Sequence, residues 1–188
     1  MKNKVFMTFV FIALFFVPSL AWADVTIQVT SLEENIMRVT YTWIFTTEGA
    51  TQWVVQVGER FADGPLTVIS LKDENTGENL RFNIVQYGGP AYRNQAVRIY
   101  FRNAIPRGGG YRIELAAEAV TKNITRDKNG LYVFTFDTAQ EASFVLPKGH
   151  ILKYSNYPVE AQKRGGNRVL HVKQAGEKSI IFKTSASP

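Results

Sequence analysis

The stretch Ile36-Met37-Arg38-Val39-Thr40-Tyr41-Thr42-Trp43-Ile44-Phe45-Thr46 decides the fold class. Met37, Val39, Tyr41, Trp43 and Phe45 share one parity, while Arg38, Thr40 and Thr42 hold the other. Successive side chains of a strand point to opposite faces, so this segment buries one face and wets the other. Glu33-Glu34-Asn35 separates it from an alternating run over 25–32, which reads as the first half of a hairpin.

The same alternation continues outward. Strands are predicted over 52–57, 66–72 and 80–86, with Asp73-Glu74-Asn75-Thr76-Gly77-Glu78-Asn79 as the turn between the last two. A further pair covers 96–102 and 111–119, and shorter strands follow over 131–136, 143–146, 149–153, 168–173 and 179–183. Gly, Pro, Asn or Asp bound each of them at the spacing of roughly 8–12 residues expected of sandwiches and barrels. Long helical periodicity is absent. The single candidate for a helical turn is 115–121, with Ala116, Ala117 and Ala119, and it reads equally as an extension of the preceding strand. The prediction is an all-β chain, an immunoglobulin-like antiparallel β-sandwich.

The N-terminus has the parts of a secretion signal. Lys2 and Lys4 give a positive start, residues 5–17 an apolar core, and Ala21-Trp22-Ala23 small residues at the two cleavage-determining positions. Pro18 breaks the apolar helix before that site. The rival is a retained anchor, since 5–23 carries no charge and a span needs roughly 20 apolar residues. The Pro18 break and the Ala-x-Ala pattern favour cleavage near Ala23. No later apolar stretch approaches spanning length. The chain contains no cysteine, so disulfides, thiolate metal sites and thiol catalysis are excluded. A small secreted eukaryotic domain is often disulfide-stapled. The reading is therefore a periplasmic or extracellular protein of bacterial type, with no membrane span after cleavage.

Charge divides the remainder. Residues 24–145 hold 12 Lys+Arg against 14 Asp+Glu, whereas residues 146–188 hold 8 against 2. With the polar stretch 121–128, this suggests a first β-sandwich module over 24–120 and a smaller second β module over 121–188 packed on it. The alternative is one continuous sandwich over 24–188. Two segments resemble the lumenal ectodomain of ribophorin I: Val97-Arg98-Ile99-Tyr100-Phe101-Arg102-Asn103-Ala104-Ile105-Pro106-Arg107-Gly108-Gly109-Gly110-Tyr111-Arg112-Ile113-Glu114-Leu115, and Phe144-Val145-Leu146-Pro147-Lys148-Gly149 with Tyr157-Pro158 after it. The resemblance implies an extracytoplasmic β-sandwich and a scaffold-like role. It carries over no functional residue, and this chain lacks the membrane span of that family.

Motifs of catalysis are missing. There is no Gly-x-Ser-x-Gly elbow, His-Glu-x-x-His, Walker loop or calcium-loop spacing. His150 and His171 are the two histidines, and neither has an acidic ligand spaced beside it, as a three- or four-ligand zinc site needs. Gly108-Gly109-Gly110 joins two strands, so a permissive turn explains it better than a phosphate cradle, which needs a helix N-terminus. Asp73, Glu74 and Glu78 read as solvated turn carboxylates. The expectation is a protein that is not an enzyme, with no cofactor and no metal.

What stands out is basic and aromatic. Arg98, Tyr100 and Arg102 share the parity opposite Val97, Ile99 and Phe101, and Arg93, Arg107 and Arg112 lie close in sequence with no acid among them. Arginine offers a planar fork to carboxylate or phosphate and tyrosine a flat amphipathic contact. Arg93, Arg98, Tyr100, Arg102, Arg107 and Arg112 are thus the candidate binding residues, for an acidic protein or an anionic envelope polymer. The bland reading is a solvated sheet face. A second basic group, Lys148, Lys153, Lys163, Arg164, Arg168, Lys173, Lys178 and Lys183, extends this positive surface if its strands adjoin the first. Nucleic acid is not expected, because export removes the opportunity and no binding motif is present. The Tyr87-Gly88-Gly89-Pro90-Ala91-Tyr92 loop is a further candidate for displaying aromatics to a sugar. The reading is an exported binding or scaffold module; the alternatives are a structural subunit pairing by a sheet edge, or a hydrolase with no recognisable motif.

Overall fold

Alternation becomes strand wherever the structure, a computed structural model, describes the chain: residues 23–56, 67–87, 94–138, 141–173 and 176–185. Among the described residues there is no helix, and the strands are β1 (Ala23–Ser31), β2 (Ile36–Phe45), β3 (Gln52–Gln56), β4 (Thr67–Asp73), β5 (Arg81–Tyr87), β6 (Asn94–Tyr100) and β7 (Tyr111–Val120), followed by β8 (Ile124–Arg126), β9 (Tyr132–Thr138), β10 (Ala142–Val145), β11 (His150–Ser155), β12 (Glu160–Arg164), β13 (Asn167–Val172) and β14 (Gly176–Thr184). Residues 115–121, the candidate helical turn, continue β7 as strand up to Val120. The expected signal segment lies outside the described residues up to Ala23, which already pairs with Trp43 at the start of β1. The 88–92 part of the tyrosine-glycine loop and Arg93 also lie outside them.

The strands form a seven-stranded sheet in the order β12-β13-β10-β1-β2-β7-β4, a four-stranded sheet β11-β14-β9-β8 and a three-stranded sheet β3-β6-β5. The chain is all-β with packed sheets, a sandwich as expected. Among the described residues its strand pairings are antiparallel except for β1 and β10, which run parallel with Val25 opposite Ala142. The seven-stranded sheet therefore draws strands from both sides of residue 121.

The buried parity of β2 forms the middle of the core. Met37, Val39, Tyr41, Trp43 and Phe45 alternate strictly with half-exposed neighbours. The ring of Tyr41 stacks on Trp43 at 4.5 Å. At the end of the strand Phe45 meets Trp53 of β3 at 5.6 Å and Phe101 at 5.3 Å, which ties on the three-stranded sheet. Phe144 of β10 does the same for the four-stranded sheet, with Phe134 at 5.2 Å and Phe182 at 6.0 Å. Each fully buried aromatic of this kind contributes about 1.5–3 kcal/mol of transfer free energy, so the two smaller sheets are held by one aromatic node apiece on a common base.

Turns follow the residues that permit them. Asn35 closes the β1–β2 hairpin in the left-handed region, at φ 54°. Between β6 and β7, the amide of Gly109 donates to the Pro106 carbonyl at 3.0 Å and Gly108 takes φ 66°. The glycine triplet thus joins two strands, as its flanks suggest.

Candidate binding site at the three-stranded sheet

Strand β6 is the centre of its sheet, with β3 on one side and β5 on the other. Val97 and Ile99 are fully buried, so Arg98 and Tyr100 are turned to the opposite, outer face. The register sets Gln52, Tyr100 and Arg81 in one row across that face, and Val54, Arg98 and Asn83 in the next. Arg81 lies over the Tyr100 ring, 5.4 Å from its centre. Asn83 Nδ2 donates to the Tyr100 hydroxyl at 3.1 Å. Tyr100 is held from two sides by β5, so its ring is a fixed wall. It closes a cleft of about 530 Å³ whose other lining residues are Leu80, Arg81, Phe82 and Asn83. Four consecutive residues of both parities line it, so the cleft follows the edge of β5.

The predicted residues divide. Arg98 and Tyr100 share this face. Arg102 follows β6 and pairs with Glu78, while its Nη2 donates to the Asn79 carbonyl at 3.3 Å. Arg112 belongs to β7 in the seven-stranded sheet and lies 3.6 Å from Glu74. Arg107 is exposed in the β6–β7 turn. The stretch from Arg93 to Arg112 has no acid along the sequence, but the β4–β5 turn brings two acids against it in space. Among the described residues neither Arg81 nor Arg98 forms an ion pair. Arg81 and Asn83 were not singled out from sequence; their shared parity on the strand after the acidic turn is the signal that marks them.

Asp73 departs from the expectation of a solvated carboxylate. It is buried, and its Oδ1 accepts from the amides of Asn75 at 2.9 Å and Thr76 at 3.3 Å. It also accepts a hydrogen bond from the Tyr111 hydroxyl. Burial first, and this bond second, push the Tyr111 phenol above its ordinary range. The same hydroxyl accepts from the Arg102 amide at 3.4 Å. One carboxylate thus fastens the turn, the start of β7 and the end of β6.

Two members of the second basic group are withdrawn from a free positive surface. Lys178 is fully buried between the rings of Phe136 and Tyr157, each centred 5.9 Å from its Nζ, and donates to the Gly176 carbonyl at 2.9 Å. Burial pushes its ammonium below the usual lysine range. Lys173 is taken by Glu160 at 2.7 Å. The histidines sit in different sheets: His171 Nδ1 meets Ser143 Oγ at 2.8 Å, and His150 packs edge-on against Tyr132 and Phe182. Among the described residues no three His, Cys, Asp or Glu side chains gather to hold a metal ion. Another cleft, about 540 Å³, lies beside the β1–β2 hairpin; its charged groups are Glu33 and Lys148, of opposite sign.

No protein-family model matches the sequence, and no curated protein matches it. Solved structures do. The M1 zinc metallopeptidase from Deinococcus radiodurans aligns with a TM-score of 0.50 and 14% identity, over 86% of this chain and 41% of that one. A mutant of the same enzyme gives a TM-score of 0.51 with the same identity and coverage. A two-domain M1 zinc metallopeptidase mutant bound to L-arginine also gives 0.51. The chain spans about two fifths of the length of these proteins. The likeness is one of fold.

Proposed function

We propose that this chain is an exported, non-catalytic binding or scaffold module of the periplasm or extracellular space, and that its three-stranded sheet recognises an anionic ligand. Export rests on the Lys2/Lys4 start, the apolar core and Ala21-Trp22-Ala23. The scaffold-like role agrees with what the resemblance to ribophorin I ectodomains implies. The observation that carries the ligand class is the fixed Arg81–Tyr100–Asn83 arrangement that lines the cleft, with Arg98 in the next row of the same face, two guanidinium groups without an ion pair among the described residues. A guanidinium stacked on a ring keeps its fork in place, so less rotamer freedom is lost when an anion binds. Arg102 and Arg112 play a different part here, closing the β4–β5 turn through Glu78 and Glu74.

The test is fluorescence anisotropy with labelled polyglutamate. Affinity should fall with added salt, and Arg81→Ala/Arg98→Ala should weaken binding by about tenfold or more. Arg102→Ala/Arg112→Ala should change it by less than about twofold, as expected of groups already paired at the surface. Binding that survives high salt and the Arg81/Arg98 double change would sink the anion reading.

A further inference from the structure

The β4–β5 hairpin begins as an ordinary two-stranded ladder and then opens. Lys72 bridges Asn79, the Asp73 amide donates to the Glu78 carbonyl at 2.9 Å, and the Leu80 amide donates to the Leu71 carbonyl at 2.9 Å. Beyond that point the ladder stops. β4 joins β7 in the seven-stranded sheet and β5 joins β6 in the three-stranded one. Had the register of Lys72 and Asn79 continued, Ile69 would stand opposite Phe82. Instead Ile69 is the extra residue of a bulge against β7 and is 47% exposed. Phe82 and Ile84 are 37% and 44% exposed, although they share the core-facing parity of Val97 and Ile99.

Backbone direction sharpens this seam. Leu80 directs its amide towards β4, and alternate residues of a strand direct their N–H and C=O groups to the same side. Phe82 and Ile84 therefore present theirs to the seam, and among the described residues no strand pairs with them there. The cleft at Leu80, Arg81, Phe82 and Asn83 runs along this edge. Its base is rigid, because Asp73, Tyr111 and the Arg102 amide clasp the turn.

We propose that this seam takes up an extended segment of a partner protein as an added strand on β5, and that the segment alternates apolar with acidic residues. Charge complementarity names the acidic half. Residues opposite Arg81 and Asn83 project onto the face where Arg81 and Arg98 lie without an ion pair among the described residues, whereas residues opposite Phe82 and Ile84 project onto the apolar side. Two rings of constraint then act together: backbone hydrogen bonds give the affinity and the two faces give the specificity. The inference rests on the anion reading above and adds to it both the class of ligand and its conformation.

The probe is a fluorescein-labelled dodecapeptide of alternating glutamate and valine, with two analogues, one N-methylated at every valine and one at every glutamate. All three carry the same charge and side chains. An antiparallel added strand uses the valine amides and a parallel one the glutamate amides. Methylation of one set, or of both if the β4 edge is engaged as well, should weaken binding by about tenfold or more, through lost backbone hydrogen bonds. Equal binding of the three peptides overturns strand addition, and so does a failure of the parent peptide to bind. The arginine face is judged separately, by polyglutamate and Arg81→Ala/Arg98→Ala. The protein itself is unchanged in the peptide series, so misfolding cannot imitate either result.

Discussion

Under the four-stranded sheet, Phe134, Phe136, Ile180 and Phe182 are at most 1% exposed; at the three-stranded sheet, Phe82 and Ile84 keep more than a third of their surface in water. Both sheets cover the same seven-stranded base, so the difference lies in how many strands have two neighbours. In the four-stranded sheet β9 and β14 are both flanked, and their core-facing residues disappear. In the three-stranded sheet only β6 is flanked among the described residues, and β5 shows its apolar side chains at an edge. A narrow cover seals its middle and leaves its margin available. The comparison separates a sealed cover from one with an exposed apolar margin, although both come from the same alternating pattern.

Three measurements test that separation. The largest effect is expected at Phe144, which lies within 5.2–6.1 Å of Phe134, Phe136 and Phe182. Phe144→Ala should cost about 3–5 kcal/mol in urea unfolding, and a cost near zero would mean that the four-stranded cover is not a sealed core. Next comes Lys178. Its folded-state value is lowered, so across the interval from that value up to the ordinary lysine range the unfolded chain binds more protons than the folded one. Stability should therefore rise with pH through that interval and carry the full burial penalty below it. Lys178→Met should unfold later than the parent at neutral pH and lose the alkaline rise; an unchanged slope would show that the amine is not desolvated. The smallest effect belongs to Ile84→Thr, on the exposed margin, at about 0.5 kcal/mol or less. A loss there comparable with Phe144→Ala would erase the contrast between the two covers.

The strands were legible because period-two alternation reflects burial directly. The predicted segment 36–46 is β2 (Ile36–Phe45) almost residue for residue, and the inward parity of Val97, Ile99 and Phe101 is the buried one. Two strands gave no such signal. β8 is three residues long, and β12 is exposed at every position, so neither has an apolar parity to read. The division into three sheets was not legible either, since it depends on which distant residues Phe45 and Phe144 meet. The same limit governs the candidate site. Arginines that cluster along the chain were regrouped by the sheets: Glu74 and Glu78 reached Arg112 and Arg102, while Arg81, isolated in sequence, came to rest on Tyr100. Asp73 looked like its acidic neighbours, because nothing in a turn sequence shows that a tyrosine 38 positions on will cover it.

The parallel pairing of β1 with β10 joins the start of the described chain to a strand more than a hundred residues on. β1 lies inside the seven-stranded sheet, yet its second neighbour starts only at Ala142. A chain delivered N-terminus first forms the β1–β2 hairpin early, and then carries one bare edge of β1 until most of its length has arrived. Val25, Ile27 and Val29 are in that interval an open template for other chains. Contacts so far apart in sequence also close slowly. A late step of assembly, the docking of β10 on β1, therefore falls at the centre of the sheet, and β13 and β12 extend it to the rim only afterwards.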